Sequence, residues 1–238
     1  MKKNTIIQII IIIALAIILG ILVKFTIDAI NENNMSQMAE QGMEQPNGNM
    51  QNQMGGNSSS VTYSGVQEIT ENITITSGEY SSETADENAI LVSGDIDATL
   101  SNITVSKTGD SDGGDNTSFY GINSALLAKS GANVTLKNIT VTTDATGANG
   151  VFSYGGTATT NNSSSDGTIV TISDSIITTT KDNSGGIMTT GGGTMKAYNL
   201  IINTAGTSSA AIRTDRGGGN VTVDGGTYTT TGAGSPSV

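Results

Sequence analysis

The chain has no His and no Cys among its 238 residues, so its reactive chemistry has to come from carboxylates, lysines and arginines. The usual general base and the thiol nucleophile are both missing. Three polar groupings stand out. Asp110, Asp112 and Asp115 lie among glycines in the run DSDGGD. Three carboxylates on a Gly-flexible loop suit Ca2+, a hard ion that takes oxygen ligands. The run lacks the downstream bidentate Glu of a calcium loop, and the alternative is a solvated acidic loop that binds no cofactor. Arg213, Asp215 and Arg216 cluster at one strand end, and Asp95 and Asp97 form a separate pair. Paired acids at such a spacing serve glycoside chemistry or decorate a turn. The Gly runs at 191–193 and 217–219 lack the strand-to-helix context of a phosphate loop. The residues point to a protein that is not an enzyme.

What would position these side chains is a repeat. The stretch 134–141 reads VTLKNITV, a β-type run with Asn at its middle, and the same template returns around Asn102, Asp174 and Asn199. Weaker copies centre on Ser77 and Gly225. From Ser77 onward the centres are separated by 25, 36, 36, 25 and 26 residues. A second row, Ile90, Leu126, Val151, Ile187, Ile212 and Val238, interleaves with steps of 36, 25, 36, 25 and 26. Each step of 36 is one of 25 with 11 residues added, so two insertions, roughly 106–120 and 155–168, account for the excess. Removing them leaves about six coils of about 25 residues, each with two strand-like runs, and a fixed period of that size marks a solenoid.

Alternation assigns the faces. Val134 and Leu136 point inward, Asn138 interrupts, and Ile139 and Val141 point inward again. A one-residue offset between two inward pairs is what a corner produces, and Asn tolerates the left-handed backbone that a corner needs. Asn102, Asn138, Asp174 and Asn199 would then stack as a side-chain ladder. A lone coil buries too few aliphatic groups to offset its ordering entropy, so the coils must stack. The crossover rule for parallel strands favours a right-handed path. The predicted fold is all-β, a right-handed parallel β-helix over 61–238.

On that winding, the position after the second inward row lines up Leu91, Leu127, Phe152 and Met188, ending at Arg213. An exposed apolar strip of this kind marks a binding surface. Phe152 and Tyr154 would stack on a sugar ring, with Arg213 and Asp215 bonding its hydroxyls. The two insertions are long enough to fold back and cover the strip, which is the competing expectation.

The first 60 residues read differently. The run 5–23 is apolar except for Thr5 and Gln8, and about 28 Å of helix matches a bilayer core. It is too long for the apolar core of a cleaved signal peptide. Lys2 and Lys3 precede it, and Asp28 and Glu32 follow, so 1–30 is expected to be a single-pass membrane anchor with a cytoplasmic N-terminus. Residues 31–60, rich in Asn, Gln, Gly, Ser and Met, read as a disordered tether to an extracellular β-helix. Its five methionines either suit Cu(I) or are simply tolerated there. A net charge of −11 disfavours nucleic acid as a partner.

The template VTLKNITV, the segment 210–238 (AAIRTDRGGGNVTVDGGTYTTTGAGSPSV) and the N-terminal anchor resemble the pectate-lyase-like right-handed β-helix surface proteins. Within these, the chain is similar to adhesin-like proteins that Gram-positive bacteria display. The resemblance covers about 68–238 and implies a non-catalytic role in adhesion or carbohydrate binding, with glycans or other cell-surface proteins as partners. It also implies an alternative, a polysaccharide lyase or glycoside hydrolase whose catalytic coils lie in the insertions or beyond Val238. Relatives continue past this point and no polar cap follows Val238, so the chain is expected to be a piece of a longer protein.

Overall fold

The computed structural model describes residues 61–111, 114–156 and 165–238. The anchor and tether expected over 1–60 lie outside the described residues, as does Asp112. Among the described residues no helix is long and apolar enough to cross a membrane.

Residues 65–230 form three parallel six-stranded sheets. Sheet A holds β1 (Gly65–Ile69), β4 (Asn88–Ser93), β7 (Leu126–Lys129), β10 (Val151–Tyr154), β13 (Ile187–Thr190) and β16 (Ile212–Thr214). Sheet B holds β2 (Ile73–Ile75), β5 (Asp97–Ser101), β8 (Asn133–Lys137), β11 (Ile169–Ser173), β14 (Gly193–Tyr198) and β17 (Gly219–Asp224). Sheet C holds β3 (Gly78–Ser82), β6 (Ile103–Lys107), β9 (Thr140–Thr143), β12 (Ile176–Thr179), β15 (Ile201–Thr204) and β18 (Thr227–Thr230). The strands therefore recur in threes, one per sheet in every coil, and the molecule is a parallel β-helix.

The register follows the spacing. Ile90 faces Leu126, Leu126 faces Val151, Val151 faces Ile187 and Ile187 faces Ile212. Val134 lies between Ala98 and Val170, and Val170 beside Met195, so a single apolar core runs along the axis. A coil has three strands where the sequence suggests two runs, because the template bends at its middle residue. Residues 133–137 belong to sheet B and 140–143 to sheet C.

The bend is a left-handed residue. Asn102, Asn138, Asp174 and Asn199 have φ of 51°, 54°, 50° and 53°, and Gly225 has 70°. Asn138 Nδ2 donates to Asn102 Oδ1 at 2.6 Å, and Asn199 Nδ2 donates to Asp174 Oδ1 at 3.1 Å. Asn102 Nδ2 continues to the Thr76 carbonyl at 3.1 Å. The ladder is thus present as two bonded pairs. Asn138→Val, which puts a β-branched side chain in the left-handed region and breaks a rung, is expected to cost about 2 kcal/mol. Asn138→Gly should cost less than half of that, and urea denaturation of the two variants compares them directly. Equal costs would remove the backbone explanation.

A second ladder, not anticipated from the sequence, lies inside another corner. Ser184 Oγ accepts from Ala148 N at 3.1 Å, Ser209 Oγ from Ser184 N at 3.0 Å, and Ser235 Oγ from Ser209 N at 2.8 Å. Ser184 and Ser209 are fully buried. The Ser209 and Ser235 hydroxyls satisfy the amides of Ser184 and Ser209, while Ala148 N also reaches the Ala145 carbonyl at 3.3 Å.

Candidate functional site

The row expected to face a ligand is covered. Leu127, Phe152 and Met188 are at most 1% exposed, and Leu91 and Tyr154 at most 9%. They form a second apolar cluster outside sheet A, against which Tyr63 and Tyr120 pack. The first insertion turns into α1 (Asp115–Tyr120), stopped by left-handed Gly121, and Thr190 Oγ1 donates to the Phe119 carbonyl at 2.7 Å. Tyr120 meets Tyr154 edge-on at 5.6 Å. From β4 to β13 sheet A is therefore buried on both faces, which is why strands such as β4 read as nearly continuous apolar runs. The insertion removes the strip from solvent, so it offers no open platform for a sugar.

The charged candidates are taken up by local partners. Arg213 pairs with Asp215, whose other oxygen accepts from Arg216 N at 2.8 Å. The Arg216 guanidinium lies 4.0 Å from the Phe119 ring centre and 3.2 Å from Asp115. This arginine holds α1 against the last described strands of sheet A. Asp110 accepts from Thr146 N at 2.7 Å, in the coil above. Asp110 and Asp115 thus serve different partners, and among the described residues no three acidic, His or Cys side chains converge on a metal-sized site. Asp97 accepts from Asn133 Nδ2 at 2.7 Å, again in the next coil, while Asp95 sits in the preceding turn.

Lys107 is the polar residue that sequence reasoning missed. It ends β6 on an inward row in which Ser82, Thr143, Thr179 and Thr204 are the other buried members. Its side chain is fully buried. Nζ donates to the carbonyls of Thr84 at 2.7 Å and Gly109 at 2.9 Å. Glu87, Asp86 and Asp110 surround it, and Asn123 Nδ2 closes the corner on the same Gly109 carbonyl at 2.9 Å. The row spacing of 25 and 36 residues was the available signal.

Burial lowers the Lys107 ammonium from its ordinary value near 10.5, and the three carboxylates oppose that shift. Between the lowered value and 10.5 the unfolded chain holds more protons than the folded one, so stability rises with pH through that window. Below the window Lys107 contributes no slope. Lys107→Met is expected to flatten the rise in urea midpoints and to lower stability at neutral pH, because the Thr84 and Gly109 carbonyls each lose a charged donor. An unchanged alkaline slope would show that Lys107 does not carry it.

Among the described residues, the outer faces of sheets B and C are the open surfaces. On sheet B, Tyr198 is 37% exposed, in register with Ser173 and Asp224, with Lys196 two residues away on the same face. Sheet C presents two uncharged columns from β6 to β18. One is Thr104, Thr140, Ile176, Ile201 and Thr227, and its neighbour is Ser106, Thr142, Thr178, Asn203 and Thr229.

No protein-family model matches the chain, and no curated protein or solved structure is significantly similar to it.

Proposed function

We propose that the chain is a cell-surface protein, anchored in the membrane by the apolar segment at 5–23, whose β-helix acts without catalysis in adhesion or carbohydrate binding. The finer assignment, a right-handed helix of the pectate-lyase-like, adhesin-like kind, rests on the crossover rule and on the repeat resemblance. The observation that carries the reading is Tyr198. An aromatic ring held open on a rigid sheet, with a hydroxyl, a carboxylate and an ammonium beside it, suits the apolar face and the hydroxyl rim of a sugar. A parallel β-helix keeps such groups at fixed spacing, so little ordering is lost on binding.

The test is a glycan array probed with the full chain and coupled to a product assay. Binding without cleavage that falls at least tenfold in Tyr198→Ala is the expected result. Cleaved product would replace this reading with the lyase or hydrolase alternative. Binding that survives Tyr198→Ala would remove the proposed contact, and silence across the array would remove carbohydrate as the partner. Labelling of intact cells with a membrane-impermeant reagent tests the orientation, since the β-helix lysines should react from outside.

A further inference from the structure

We infer that the outer face of sheet C is an ice-binding surface. This goes beyond the glycan reading, which uses the other open sheet. The inference starts from regularity. Thr104, Thr140 and Thr227 repeat along one column, and Thr142, Thr178 and Thr229 along the next, with every strand in register. Neighbouring coils repeat at about 4.8 Å, and alternate residues on one parallel strand at about 6.6 Å. The face is therefore a two-dimensional lattice of methyl and hydroxyl groups, interrupted at one point by the Asn203 amide, rather than an irregular patch. β-branched side chains have few χ1 states, so the lattice is ordered before anything binds.

Charge and size narrow the occupant. Across five successive coils the two columns carry no ionisable group, although the chain as a whole carries −11. Outward residues of sheet B, by contrast, include Asp97, Lys137, Lys196 and Asp224. A neutral lattice suits a neutral partner. Five strands by two outward residues make a face of roughly 20 Å by 10 Å. Two such faces together would bury roughly 400 Å2, well short of the ~1,200 Å2 of a stable protein interface, which disfavours a second copy. Neither column has an aromatic ring, because Tyr80 and Tyr228 lie on the inward positions and pack on the core, which disfavours a sugar. Ile176 and Ile201, 43% and 45% exposed, stand in the hydroxyl row. Water in its crystalline form has oxygen rows close to both spacings, and it is met equally well by methyl groups that cage it and hydroxyls that join it.

The test is growth of a single ice crystal in a supercooled solution of the full chain in detergent micelles, with empty micelles as the blank. The expected result is a faceted crystal and a gap between its melting and growth temperatures. Thr142→Lys and, on a separate coil, Ile201→Lys should each abolish the gap while keeping the circular dichroism of the parent. Thr135→Lys, which places the same charge on the outer face of sheet B, should keep it. A rounded crystal with no gap would overturn the inference, as would equal loss in Thr135→Lys. Retention on insoluble polysaccharide, or a concentration-dependent dimer, that Ile201→Lys removes would assign the face to those partners and overturn it too.

Discussion

Phe152→Ala should lower the free energy of unfolding by about 4 kcal/mol in urea denaturation followed by circular dichroism. The ring is fully buried, flanked in register by Leu127 and Met188. Gly121 has no side chain at the point of contact, and a Cβ there would sit 2.8 Å from the Phe152 ring. The space left by alanine cannot close easily, because the strands on both sides are held at ladder spacing. Phe152→Leu, which keeps most of the volume, is expected to cost about 1.5 kcal/mol or less. Coils in a solenoid contact mainly their neighbours, so α1 should loosen first, seen as proteolysis near 111–121 before global unfolding. A cost for alanine below about 1 kcal/mol would mean that α1 does not seal this row.

Gly206→Ala is expected to destabilise by about 3 kcal/mol for a different reason. Its φ is not in the left-handed region, so the requirement is close approach alone. A Cβ on Gly206 would fall 1.8 Å from the Lys181 carbonyl oxygen, and one on Gly232 would fall 1.8 Å from the Gly206 oxygen. Backbone from three successive coils meets there, and backbone cannot swing aside as a side chain does. Gly234 provides the comparison: it has φ of 63° but nothing within 4 Å of an added Cβ. Gly234→Ala should therefore cost only the dihedral strain, about 1 kcal/mol. Melting temperatures that rank the two the other way would show that crowding is not what selects glycine at 206.

The winding was legible because a parallel β-helix makes local and long-range order the same thing. A side chain that repeats every 25 residues must stack on its own counterpart, so spacing alone placed Asn199 beside Asp174 and Ile212 beside Ile187. The insertions were legible as departures from that spacing. The surface was less so. Leu127, Phe152 and Met188 alternate as outward residues would, and alternation carries no information about a segment that folds back over them. Lys107 was missed because a lysine is read as solvated unless its partners are known, and its partners are main-chain carbonyls of Thr84 and Gly109.

By itself, then, the order of residues determined the period, the corners and the core row, since each depends only on a residue and its copy one turn away. Which outward rows meet solvent was decided by tertiary structure. α1 seals sheet A, with Thr190 and Arg216 reaching it from coils later in the chain than α1, while among the described residues sheets B and C keep open outer faces. Burial depends on what comes to lie on top of a residue, and no repeat encodes that.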